Sequence, residues 1–362
     1  MSRSKFRQTP LLEGLETREL MSAGGPTAQQ QYMLELINEA RLNPRAAAER
    51  VTTNLTPDVQ ATVNYFQVDL EATRREIAES PTRPPLAWNP ALTVSAQRHS
   101  QDMATNRTQS HTGSDGSSID SRIQDAGYTN ASTTAENAFA YARSVDEAMQ
   151  AFLVDWGVAD QGHRRNILQP QVARQDSFRD VGIGIVKSND AKFGPLVVTQ
   201  NFGTRPNSQA ILLGVAYRDN NPDRFYNPGE GEPEVRIDAT NLETKSTTTT
   251  TTMDAGGYQV SLPAGRYQIT ASVGDTVVKT VELTIGTENV KQDFILSDPW
   301  DGRSRNQFLS AITRPGPSAK PALSASPTGS SPSVRQSTPP SPTTTTASAR
   351  LGAWTSWKAR VS

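Results

Sequence analysis

The chain has no cysteine, only three histidines and no long apolar run. Without cysteine there can be no disulfide, no thiolate metal site and no cysteine nucleophile. Secretion stays open, because an exported protein can manage without disulfides. No segment reaches the roughly 18 consecutive apolar residues of a spanning helix, so no transmembrane segment is expected. Neither sign of charge dominates: 36 basic and 37 acidic residues leave a formal net charge of −1. That balance gives no reason to expect nucleic acid or an anionic membrane as partner. Hydrophobic residues make up 35% and mean hydropathy is −0.56, so a large part of the chain is not packed core. The 362 residues leave room for two ordinary domains and some unstructured length.

The first 26 residues begin "MSRSKFRQTPLLEGLETRELMSAGG". They lack the apolar centre of an ordinary signal peptide. They resemble a short Leu-Glu- and Arg-rich leader found on many bacterial secreted and surface proteins; a plain disordered start is the alternative. Helical signals follow to about Leu168. In "MLELINEA", Met33, Leu36, Ile37 and Ala40 share one helical face, and Pro44 stops the pattern. A weaker helical region covers "PDVQATVNYFQVDLEATRREIAE". Asn89-Pro90 reads as an N-cap and first-turn proline. The helix after it carries Leu92, Ala96, His99 and Met103 on one stripe. Ser144 and Glu147 form a capping-box pattern ahead of the apolar face Val145, Ala148, Met149, Phe152, Leu153 and Trp156. Then strands begin. "DVGIGIV" places Gly182 and Gly184 on one face, which suggests the close approach of another backbone or a ligand. "PLVVTQNFG" reads as a central strand. With "ENAFAY" this makes a small sheet surrounded by helices.

From about Ile211 to Leu296 come short β-type runs separated by turns, the pattern of an all-β sandwich. The threonine run Thr247 to Thr252 reads as strand or loop. Residues 298–362 are rich in Pro, Ser and Thr and are expected to form a disordered tail.

Two of the histidines have no packing explanation. His111 stands in the small, polar loop "SHTGSDGSS", and His163 in "DQGHRRNIL". His99, on its apolar stripe, reads as a half-buried helix residue rather than a ligand. Glu136, in "TTAENAFAYA", is poorly placed for a strand interior. Two histidines and a carboxylate can form an open divalent-cation site, or an acid/base pair around a water or polar ligand. Their spacing does not choose between these, because only a fold can bring them together.

Residues 27–204 resemble a bacterial member of the CAP superfamily (cysteine-rich secretory proteins, antigen 5 and pathogenesis-related 1; the SCP domain). The matching pieces include "LELINEARLNPRAAAER", "PPLAWNPALTVSAQRHSQDMA", "SHTGSDGSSIDSRIQDAGY", "AENAFAYA", "FLVDWGVADQGHRRNIL", "DVGIGIV" and "VVTQNFG". The resemblance implies an α+β fold, a three-layer α/β/α sandwich, and an extracellular or cell-surface location. It also implies a cleft lined by His111, Glu136 and His163, with zinc as a candidate occupant. A second acidic residue is expected three positions after the helix tryptophan. That position is Ala159, with Asp160 beside it.

Residues 210–297 resemble the SdrD B-like and Cna B-type β-sandwich modules of bacterial surface proteins, through "GVAYRDNNPDRFYNPGEGEPEVRI" and "GGYQVSLPAGRYQITA". Such modules imply a spacer. Within it, "DNNPDRFYNPGE" sets Asp219, Asn221, Asp223, Phe225, Asn227 and Glu230 at the positions of an EF-hand-type calcium loop, with Arg224 where glycine is preferred. An Asx-turn loop with solvated charges is the alternative. The expected function is a secreted or cell-surface, non-catalytic module binding a cation and a small molecule, lipid or peptide, with cell-envelope components as further partners. The alternatives are an extracellular hydrolase, a peptidase using a His/Glu or metal-activated water, and pure adhesion with a vestigial cleft. No HExxH, serine triad or nucleophile-elbow pattern is present.

Overall fold

The computed structural model describes residues 25–190 and 193–296. The leader and tail readings concern residues outside these, save for 25 and 26. The chain enters helix α1 (Ala28–Leu42) through a capping box: Gln30 N donates to Thr27 Oγ1, and Gln30 Oε1 accepts from Thr27 N at 2.9 Å. Met33, Leu36, Ile37 and Ala40 are buried together, as their spacing predicts. Pro44 ends this pattern and starts the next helix. Asn43 closes α1 and accepts from Ala46 N to cap α2 (Pro44–Thr52). The weak helical region resolves into α3 (Pro57–Tyr65) and α4 (Leu70–Ala78). After the short strand β1 (Ala87–Trp88), Asn89 caps α5 (Pro90–Asn106), with Pro90 in its first turn. Then come α6 (Ile119–Asp125), β2 (Thr133–Ala142), α7 (Val145–Val154), α8 (Gly162–Leu168), β3 (Asp180–Lys187) and β4 (Leu196–Thr204).

The four strands form one sheet in the order β1-β3-β4-β2. Helix α5 lies on the face of Gly182 and Gly184, while α1, α7 and α8 cover the other face, giving three layers. The two glycines meet the α5 backbone rather than a ligand: a Cβ on Gly182 would fall 2.0 Å from the carbonyl carbon of Leu92. Ser144 accepts from Glu147 N at 3.0 Å, but Glu147 reaches back to Arg143 N, one residue short of a reciprocal box.

The β-rich region follows. Strands β5 (Ala210–Tyr217), β6 (Arg236–Asn241), β7 (Thr247–Thr251), β8 (Gly257–Leu262), β9 (Gly265–Val273), β10 (Thr276–Ile285), β11 (Val290–Lys291) and β12 (Phe294–Ile295) make two sheets. One runs β10-β9-β6-β7; in the other β5 pairs with β8, β11 and β12. Leu212, Val235, Ile237, Tyr258, Ile269 and Phe294 fill the space between them. Thr247–Thr251 of the threonine run form the strand β7, paired with β6.

The β-rich region packs on the helices through polar and aromatic contacts. Lys291 Nζ lies 2.8 Å from Glu35 Oε2 on α1. Arg174 forks onto Glu288, Asn289 donates to Pro85 O, and Gln259 donates to Trp88 O. The Phe225 ring meets Tyr32 edge-on, with the Arg50 guanidinium 4.2 Å above it. Among the described residues no helix is long and apolar enough to cross a membrane.

Candidate functional site

Strand β2 is the edge of the first sheet, and its successive side chains point to opposite faces. Glu136 therefore faces the α5 side and Asn137 the α8 side. The register pairs Glu136 with Asn201 of β4. The Glu136 side chain is 2% exposed. A carboxylate so buried needs partners, and it has several. Arg122 of α6 donates Nη2 to both oxygens, at 2.8 and 3.1 Å. His111 Nδ1 lies 3.0 Å from Oε1. The Asn201 amide, with its nitrogen toward Oε2, donates at 3.0 Å. His99 Nε2 stands 3.6 Å away and 2.7 Å from Ser110 O. Burial pushes the Glu136 carboxyl up, but the His111 hydrogen bond and the charges of His99 and Arg122 outweigh it and hold it below its ordinary value. Burial pulls the His99 imidazole down. His99 is thus both a core residue, 1% exposed, and a neighbour of the site.

His163 opens on α8 and has a different carboxylate. Its Nδ1 lies 2.7 Å from Asp155 Oδ1. Asp155 is buried at the left-handed C-cap of α7, and its other oxygen accepts from Arg164 N. Ala159 is exposed, and Asp160 forms an exposed pair with Arg165. The carboxylate that pairs with His163 is therefore Asp155, just before Trp156, rather than a residue three positions after it. The sequence held a signal for this: Asp155 sits between Leu153-Val154 and Trp156, where a solvated charge is out of place.

Two amides join the halves. Asn166, on α8 with His163, donates to Glu136 O at 3.3 Å and to Asn137 Oδ1 at 2.9 Å. Asn137 Nδ2 in turn lies 3.2 Å from His163 O. Glu136 thus bonds His111 directly, and reaches the helix of His163 through its own backbone. An Nδ1 aimed at a carboxylate carries its proton, so in the neutral ring each Nε2 keeps its lone pair. Among the described residues no serine or threonine hydroxyl bonds an imidazole nitrogen.

Of the expected zinc set of His111, Glu136 and His163, Glu136 is surrounded by donors on both oxygens. The two imidazoles are each bonded to a carboxylate through Nδ1, an arrangement that leaves the Nε2 lone pair for a ligand or a metal. Among the described residues no group of three or more His, Asp or Glu side chains is arranged to hold a metal ion. The loop of residues 219–230, expected to take calcium, folds on itself. Asp223 Oδ2, Phe225 O and Glu230 Oε2 lie 3.1, 3.1 and 3.5 Å from the single nitrogen Asn227 Nδ2. Asn221 Nδ2 bonds Asp223 Oδ2 as well. Asp219 turns both oxygens to backbone N–H groups, of Asp223 and Arg224. These oxygens thus close on the Asn227 amide, with both Glu230 oxygens also accepting backbone N–H groups, of Asn220 and Asn227, and with Asp219 shaping the turn.

A family model described as "CAP: Cysteine-rich secretory protein family" matches residues 34–202. Among solved structures, the chain is similar to an extracellular protein containing a SCP domain from Bacillus anthracis str. Ames. The identity is 25%, over 42% of this chain and 44% of that one, with a TM-score of 0.27. It is also similar to a variant of BcpA, the major pilin subunit of Bacillus cereus, at 11% identity over 28% of this chain and 43% of that one, with a TM-score of 0.19. The chain spans less than half the length of either. No curated protein matches it. Residues 34–202, which carry His111, Glu136, Asp155 and His163, are a CAP domain.

Proposed function

We propose that this CAP domain is a non-catalytic, extracellular binding module whose cleft at β2 takes a small polar molecule, lipid or peptide. One observation carries the reading: both oxygens of Glu136 are engaged by Arg122, His111 and Asn201. A general base needs a free lone pair within reach of the proton it takes. Glu136 is a fixed structural anion instead. The two Nε2 atoms remain as acceptors for ligand hydroxyl or amide protons. The purified chain should show no turnover on peptide or ester libraries. Hydrolysis that disappears in both Glu136→Gln and His163→Ala would establish the hydrolase alternative, with the His163–Asp155 pair as its base.

We further propose that the loop of residues 219–230, with its EF-hand-type spacing, takes calcium, with Asp223, Phe225 O, Asn227 and Glu230 as ligands. Phe225 belongs to this loop and also packs on Tyr32 and Arg50. Ordering the loop therefore stiffens the joint between the CAP domain and the β-rich region. A ligand at 100 times its dissociation constant stabilises by about 2.7 kcal/mol. Thermal melts of the full chain should show a higher midpoint in calcium than in EDTA. The shift should vanish in Glu230→Gln. Equal midpoints for the unaltered chain rule the site out.

A further inference from the structure

We infer that Arg122 is the resident cation of the cleft, and that it excludes a divalent metal from Glu136. This holds whether the cleft binds its ligand or transforms it. Three observations support it. The Arg122 side chain is nine-tenths buried and spans both oxygens of a carboxylate that is itself 2% exposed. A metal bound to Glu136 would have to share those oxygens with a guanidinium, at a distance where two positive charges repel strongly and little water screens them. Second, the same guanidinium organises the loop that carries His111. Arg122 Nη1 donates to Ser117 O at 2.8 Å, and Nη2 donates to His111 O at 3.0 Å. Nη2 has two hydrogens for three acceptors, so one goes to His111 O and the other is shared between the two Glu136 oxygens, while Nη1 serves Ser117 O and the buried Nε–H has no partner among the described residues. Third, the groups around Glu136 are arranged as donors. His111 presents an N–H to the carboxylate from Nδ1, so its lone pair, on Nε2, points away from Glu136 and the two cannot share a metal in this tautomer.

Remove the guanidinium and the remainder changes character. His111 Nδ1 at 3.0 Å and His99 Nε2 at 3.6 Å both face Glu136 Oε1. With each ring's proton moved to its other nitrogen, at the cost of the His99–Ser110 O bond, these two imidazoles and the carboxylate are a known zinc donor set. The exclusion therefore rests on one residue, and it should be reversible.

Zinc calorimetry on the full chain tests this, with folding of each variant checked by circular dichroism. The unaltered chain and Arg122→Lys, which keeps the positive charge, should give no heat that depends on His111. Arg122→Met should bind zinc at least tenfold more tightly than the unaltered chain, and Glu136→Gln on that background should abolish the gain. Zinc binding by the unaltered chain that is lost in His111→Ala overturns the inference. So does a folded Arg122→Met that binds no better. If Arg122→Met does not fold, the unaltered chain and Arg122→Lys decide: His111-dependent heat in either overturns it, and silence in both upholds it.

Discussion

Lys291→Met should destabilise the chain by about 3–5 kcal/mol, the loss expected when one partner of a buried ion pair is removed. Lys291 is on β11 and its partner Glu35 on α1, so the pair joins the β-rich region to the CAP domain. The Lys291 side chain is 11% exposed and that of Glu35 4%, with 2.8 Å between Nζ and Oε2. Asp293 closes on the same ammonium, and Gln31 donates to the other oxygen of Glu35 at 2.6 Å. Burial pulls the Lys291 ammonium down, but Asp293 and Glu35 outweigh it and hold it above its ordinary value. Burial pushes the Glu35 carboxyl up, with Lys291 the main opposing charge. Without Lys291, Glu35 rises further. A carboxyl raised in the folded state binds a proton that the unfolded chain has released, so stability falls as pH rises through the gap. The loss in Lys291→Met should accordingly be larger at pH 8 than at pH 5. Replacing both partners, in Glu35→Met with Lys291→Met, should recover much of it, since no lone charge is then buried. Urea unfolding of the three chains at both pH values measures this. A loss below about 1 kcal/mol, the range of an exposed pair, would show that Lys291 and Glu35 are solvated.

Much of the CAP domain is legible in the sequence because it depends on near neighbours. The α1 stripe, the Asn89-Pro90 start of α5 and the Gly182 and Gly184 approach each follow from a few adjacent residues and a period. His111 and Glu136 are marked by being unexplained, and they do meet. The partners of Glu136 are a different matter. Asn201 is opposite it only because β2 and β4 pair in one register, and Arg122 arrives from a helix that the loop of His111 must first position. Neither is written in local spacing. Asp155 is an intermediate case. Its apolar flanks mark it as buried, so it had to have a partner, but the helix cap that turns it toward His163 is a tertiary feature. The contacts of Lys291 and Asn289 with the CAP domain are equally invisible, because a spacer and a docked region share the same β pattern.

Gly184→Ala should destabilise the protein by more than about 3 kcal/mol, beyond the usual range for an overpacked core, and should disturb the cleft as well. A Cβ at this position would fall 2.3 Å from the carbonyl carbon and oxygen of Ala96, and 2.6 Å from Gln97 N. These are backbone atoms of α5, with no rotamer to adopt, so the helix itself has to retreat. It is held in place by close contacts. Gln97 Oε1 accepts from Ile185 N at 3.0 Å, and Ser100 Oγ donates to Thr199 Oγ1 at 2.8 Å. A shift of about 1 Å breaks bonds whose whole tolerance is smaller than that. It leaves buried donors and acceptors unpaired, at about 1–3 kcal/mol each. The same shift carries His99 away from Glu136, from which it now stands 3.6 Å, because His99 lies between Gln97 and Ser100 on that helix. Gly286→Ala is the control, since nothing lies within 4 Å of its Cβ position, and it should change stability by less than about 0.5 kcal/mol. Thermal melts separate the two cases. A Gly184→Ala chain that melts with the unaltered one would mean that α5 does not rest on the sheet at this glycine, and the layer that sets His99 against Glu136 would need another support.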